Sequence, residues 1–207
     1  MLRLIALVVA LLAACGGSSP VPPAGASAAP SVSIGSAGTT QPSTGLLPSG
    51  APSGLALPHD DPDLEARLPD EVDGVELLKL SVGPVSSAGN LGAEPVRALA
   101  REIGDGSGNF GLAFANDAAN PQWNIFALRI PGADAAELLE QYTGLTVADA
   151  PGSETDAVRL AEKDVVHITQ PGNPIGDVWI YTLDDTLFGV QAGSDVEAAR
   201  LLEVLPP

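Results

Sequence analysis

From residue 59 onward the apolar residues switch repeatedly between a spacing of three to four and a spacing of two, the periods of a helix face and a strand face. Asp61-Pro62-Asp63-Leu64-Glu65 carries the acidic cap and proline of a helix start, and Leu64 with Leu68 forms its apolar edge before Pro69. Residues 75–82 read as a strand with Leu78, Leu80 and Val82 on one face. Glu94-Pro95 begins a second helix in which Val96, Leu99 and Ile103 recur at helical spacing, with Gly104 as its stop. Phe110, Leu112 and Phe114 alternate along the next strand. Its other face, Gly111, Ala113 and Ala115, is flat and invites a helix or a ligand. A loop over residues 116–121 joins it to a strand over 123–130, which predicts an antiparallel hairpin.

Asp134 and Glu137 form a capping-box pair ahead of Leu138, Leu139 and Tyr142, and Gly144 is expected to close that helix. Short strands follow around 158–160 and 165–169, then a tight hairpin in which 177–183 and 186–191 flank Asp184-Asp185. Ser194 and Glu197 cap a last helix bearing Ala198, Leu201, Leu202 and Leu205. The order predicts an α+β fold: a mainly antiparallel sheet with amphipathic helices packed on one face. Phe126 to Asp134 echoes Phe188 to Ser194, each a hairpin strand passing through glycine into a capped helix. A duplicated strand-strand-helix unit is one reading of the echo, and recurrent capping chemistry is the simpler one.

Before residue 59 the pattern differs in kind. Arg3 precedes an apolar run from Leu4 to Leu12, and Leu12-Ala13-Ala14-Cys15 ends in the chain's one cysteine. A spanning helix needs about 20 apolar residues, and this run is about half that before Gly16-Gly17-Ser18-Ser19. The segment resembles a bacterial lipoprotein signal peptide with its lipobox, and an ordinary secretory peptide with a bystander cysteine is the alternative. The resemblance implies that the Cys15 thiol receives a diacylglyceryl group and becomes the first residue of the mature protein. Two or more acyl chains, palmitate among them, would then hold the protein stably on the extracytoplasmic side of the cell membrane. A second, shorter likeness lies in Leu68-Pro69-Asp70-Glu71-Val72-Asp73-Gly74-Val75-Glu76-Leu77. It is similar to openings found in uncharacterised envelope lipoproteins of high-GC bacteria, and it carries no catalytic residue.

Composition divides the chain in the same place. Residues 16–58 hold no Asp, Glu, Lys or Arg and are dominated by Gly, Ala, Pro, Ser and Thr, whereas all 26 acidic residues lie at or beyond Asp60. Such a segment buries too little to offset its ordering entropy. The expected organisation is a signal peptide over 1–14, lipidated Cys15 with a disordered tether over 15–58, and an acidic domain over 59–207. Arg3 is the only charge ahead of that domain, so the domain carries 8 basic residues against 26 acidic ones, a net charge of −18 with histidines neutral. That field repels phosphate backbones and excludes nucleic acid as a partner.

Candidate chemistry is sparse. Gly106-Ser107-Gly108-Asn109-Phe110-Gly111 has the spacing of a dinucleotide loop, but it comes after a predicted helix and precedes a strand, the reverse of the order that motif requires. Asp105, Ser107 and Asn109 start like a calcium loop, yet Phe110 and Asn116 stand where the sharp turn and the bidentate carboxylate belong. His59 and His167 are too few for a three-histidine zinc site. No Gly-x-Ser-x-Gly elbow nominates a nucleophile for His167 to serve. Trp123, Trp179, Tyr181 and Phe188 serve either a concave apolar site or the core. No catalytic, cofactor or metal residue is assigned, and Cys15 is the one site residue, as a lipidation site. The leading expectation is a non-enzymatic lipoprotein that binds an envelope ligand or protein. Its alternatives are a carrier of lipid or another apolar ligand, with a cavity against the Gly111/Ala113/Ala115 face, and an envelope hydrolase using His167.

Overall fold

The computed structural model describes residues 57–83, 94–119 and 123–207, so Cys15 and nearly all of the expected tether lie outside the described residues. The elements are α1 (Pro62–Glu65), β1 (Glu71–Val72), β2 (Val75–Glu76), β3 (Leu78–Val82), α2 (Glu94–Ile103), β4 (Gly111–Asn116), β5 (Asn124–Arg129), α3 (Ala135–Asp149), β6 (Thr155–Leu160), β7 (Lys163–Ile168), β8 (Asp177–Leu183), β9 (Thr186–Ala192) and α4 (Asp195–Glu203). Seven strands form one sheet in the order β3-β4-β5-β9-β8-β7-β6, every neighbouring pair antiparallel, and β1 pairs with β2 as a separate two-stranded ribbon. The fold is α+β with a mainly antiparallel sheet, as the periodicity predicts.

Helices cover both faces of that sheet rather than one. Leu64 of α1 and Ala198, Leu201 and Leu202 of α4 pack with Ala113, Ala115, Ile125, Trp179, Phe188 and Val190. On the opposite face Val96, Leu99 and Ile103 of α2 and Leu138 of α3 pack with Phe126, Leu128, Ile180 and Leu187. The cause lies in the central strands. All of β9 is buried, and so are the first five residues of β5, so each face presents apolar surface that must be removed from water. At the crossing of these strands Phe126 faces Gly189, and a Cβ there would sit 2.2 Å from the Phe126 ring. Glycine lets the ring lie flat on the sheet.

The two-faced arrangement also argues against duplication. The echo equates Phe126 with Phe188, yet these side chains belong to opposite cores. A twofold axis normal to the sheet, the operation that relates antiparallel β5 and β9, would keep them on one face. Good capping explains the echo instead. Asp134 accepts from the N–H groups of Ala136 and Glu137, and Ser194 Oγ accepts from Glu197 N while Glu197 Oε2 accepts from Gly193 N.

Three boundaries depart from expectation. Helix α3 continues past Gly144 to Asp149, because Thr146 is buried and Val147 packs on the core beyond the glycine. A helical glycine costs about 1 kcal/mol relative to alanine, which that packing outweighs. The strand expected over 75–82 divides into β2 and β3, since Asp73 and Gly74 both adopt positive φ and turn β1 back on β2 as a hairpin. Strands β6 and β7 are longer than expected, joined by a two-residue turn at Ala161 and Glu162. The segment before α1 is already part of the fold: Ser81 N donates to Pro58 O, and His59 bridges to Ser81 along the outer side of β3.

Candidate functional site

His167 lies on β7 directly opposite Trp179 of β8, and their rings stack with centroids 4.5 Å apart and planes 3° apart. Its Nε2 donates to Asp177 Oδ2 at 3.1 Å, and Asp177 Oδ1 accepts from Gln170 N at 2.8 Å. With 17% of its side chain exposed, the imidazole is a packed residue at the margin of the α4-side core rather than an open strand residue. Asp156 of β6 stands opposite it on the other side. Among the described residues no hydroxyl is hydrogen-bonded to the ring, so the geometry supplies a histidine and a carboxylate but no nucleophile.

Beyond Asp177 a row of buried carboxamides crosses one end of the sheet, a feature that the scattered positions 116, 124, 170 and 191 did not reveal as one site. Asn124 Nδ2 donates to Gln191 Oε1 at 3.0 Å, and Gln191 Nε2 donates to Gln170 Oε1 at 3.3 Å. Asn116, Asn124, Gln170 and Gln191 are each at most 5% exposed. Asn116 Oδ1, Asn124 Oδ1 and Gln170 Nε2 have no hydrogen-bond partner among the described residues, nor has Trp179 Nε1. Asn124, Gln191 and Gln170 form a directional chain of donors and acceptors that orients their amides, and Asn116 stands beside it without a bond to the chain.

A third feature lies at the sheet edge. Ala136, Leu139 and Thr143 of α3, with Thr155 and Ala157 of β6 and Val166 of β7, line an open groove of about 370 Å³. A second hollow of about 480 Å³ continues it along Val158, Arg159 and Asp164. Both are shallow. The cavity that a carrier would need against Gly111, Ala113 and Ala115 is filled, because Leu64 of α1 packs there and a Cβ on Gly111 would meet Asp61.

The remaining candidates serve local structure. Residues 104–110 form the helix-to-strand turn expected of them. Within it the Ser107 hydroxyl and backbone N–H both donate to Asp105 Oδ1, which holds that carboxyl below the usual carboxylate range. The oxygens considered for calcium are therefore bonded to one another's turn. His59 pairs with Glu65 beside α1. Trp123, Trp179, Tyr181 and Phe188 are all buried in the α4-side core. Among the described residues no three His, Cys, Asp or Glu side chains converge as a metal-ligand set, and no helix is long and apolar enough to cross a membrane. Comparison of the chain with protein-family models, with curated proteins and with solved structures finds no match.

Proposed function

We propose that this chain is a bacterial envelope lipoprotein, held on the extracytoplasmic side of the membrane through lipid on Cys15, whose acidic domain acts by binding a ligand or protein rather than by catalysis. The observation that carries the anchor is Leu12-Ala13-Ala14-Cys15 behind a short apolar run, with no other cysteine in the chain. Support for binding over catalysis comes from His167, the one histidine within the sheet: Asp177 and Trp179 hold its ring, and among the described residues no hydroxyl meets its remaining nitrogen as a nucleophile would. The uncharged stretch 16–58 suits a spacer, with an r.m.s. span of about 35–40 Å for a Gly/Ser-like coil.

The test is metabolic labelling with an alkyne-bearing fatty acid in a bacterial host. The wild-type chain should incorporate label and fractionate with membranes. Cys15→Ser should do neither, because a hydroxyl lacks the thiolate chemistry of the modification. Label retained by the serine variant would overturn the assignment.

A further inference from the structure

The sheet has two edges, and they are treated differently. Along β3, Ser81 N donates to Pro58 O and Asp60 N donates to Ser81 O, so the incoming chain covers that edge. No described segment pairs with the outer side of β6. Its first five residues are exposed. A two-residue turn makes Leu160 and Lys163 a hydrogen-bonded pair, and alternation from there directs the backbone groups of Asp156, Val158 and Leu160 toward β7. The bond from Thr169 N to Glu154 O keeps the same parity. The N–H and C=O groups of Thr155, Ala157 and Arg159 therefore face outward. The side chains of Thr155 and Ala157 form one wall of the apolar groove against α3.

Edge strands are usually blocked by proline, charged side chains and lysine above all, a bulge or a covering segment; β6 holds no proline, lysine or bulge, no described segment covers it, and its charges are Asp156 and the paired Arg159. We propose that β6 is a docking edge that accepts an extended segment of a partner protein as an eighth strand. In this mode main-chain hydrogen bonds supply affinity and alternate side chains supply specificity. Charge selects the partner's chemistry. Glu140 on the groove wall and Asp156 on the other side of β6 have no ion pair among the described residues, while the nearby cation, Arg159, is held by Asp164 at 2.9 Å. The fitting segment therefore alternates apolar residues, directed into the groove at Leu139 and Val166, with Lys or Arg facing Asp156. A second copy of this chain fits poorly, since it would bring two strongly acidic domains together.

This inference rests on the binding reading above and names the surface and partner class. The test uses the full chain and a fluorescent, end-capped Val-Lys-Val-Lys-Val-Lys peptide, with Val-Glu-Val-Glu-Val-Glu as its acidic counterpart. The basic peptide should bind at low salt, weaken as salt rises, and bind at least tenfold tighter than the acidic one. In hydrogen exchange it should protect amides of β6. Ala157→Pro removes one outward N–H at an edge position where proline is tolerated, and it should weaken binding tenfold or more. Ala157→Arg leaves the backbone intact, places a like charge in the groove and should do the same; circular dichroism confirms that both remain folded. Binding that survives both substitutions overturns the proposal, as does protection confined to other strands or equal affinity for both peptides. So does a wild-type dimer that Ala157→Pro converts to monomer, which would make β6 a self-association edge. None of these outcomes touches Cys15 labelling, so failure of the edge and failure of the anchored-lipoprotein reading are separable.

Discussion

His167 illustrates how far one residue's role depends on neighbours that are distant in sequence. Periodicity places it on a strand face, but the stack on Trp179 and the bond to Asp177 come from β8, ten and more residues away. A hydrolase would need its free ring nitrogen, Nδ1, to meet a hydroxyl, and the described residues offer none. The carboxylate at Nε2 dictates the tautomer: nitrogen NMR of the neutral ring should find the proton on Nε2. His167→Gln keeps a donor near Asp177 but loses the stack, so it should lower stability by about 1 kcal/mol. An open surface position would change by roughly 0.5 kcal/mol or less. A proton on Nδ1, or no measurable loss in the variant, would show that the stack and the Asp177 bond do not hold the ring in solution.

At the scale of elements, legibility in the sequence came from local chemistry. Asp61, Asp134 and Ser194 start helices where their spacing predicts, because a capping oxygen acts within its own turn. Strands β4, β5, β8 and β9 are equally visible, β4 from its alternation and the other three from short apolar runs bounded by turn residues. The features that escaped depended on tertiary packing: the continuation through Gly144, the distribution of helices over two faces, and the assembly of four distant amides into one row. The β6–β7 turn escaped for another reason. Ala161 and Glu162 sit at φ of 50° and 60°, where the sequence shows none of the residues that favour that conformation. By contrast Asp73-Gly74 is a strong hairpin signal in the sequence, and its turn is what pairs Val75 and Glu76 with β1 rather than with β4. Ala161→Asn with Glu162→Gly should remove strain and stabilise the domain by about 1 kcal/mol. The measurement is urea unfolding, where the midpoint should rise at constant m-value; an unchanged or lower midpoint would mean the turn is not strained in this way.

For the whole molecule, both faces of one sheet must stay covered, and Tyr181 links that requirement to pH. Its ring packs on Phe188 at 5.5 Å in the α4-side core, and its hydroxyl donates to Pro206 O at 2.6 Å, tying the segment after α4 to β8. Burial pushes its phenol well above the ordinary range, a shift that the Arg67 charge reduces only in part. On the other face burial also pushes Tyr142 up, to about 12. These are the chain's only tyrosines. Below about pH 10 both phenols are neutral whether the chain is folded or not, so their contribution is fully present. Above it the unfolded chain ionises while the folded one keeps its protons. Stability should then fall with rising pH by up to ~1.4 kcal/mol per pH unit for each tyrosine until the folded-state pKa is reached. Tyr181→Phe should cost about 1 kcal/mol at pH 7 through the lost hydrogen bond, yet show a shallower loss above pH 10, with Tyr142 alone contributing. Absorbance titration near 295 nm checks the premise directly: the folded wild type should release little tyrosinate at pH 10 and release it together with unfolding. Early titration of both phenols, or an alkaline slope unchanged in Tyr181→Phe, would detach Tyr181 from the core in which its packing places it.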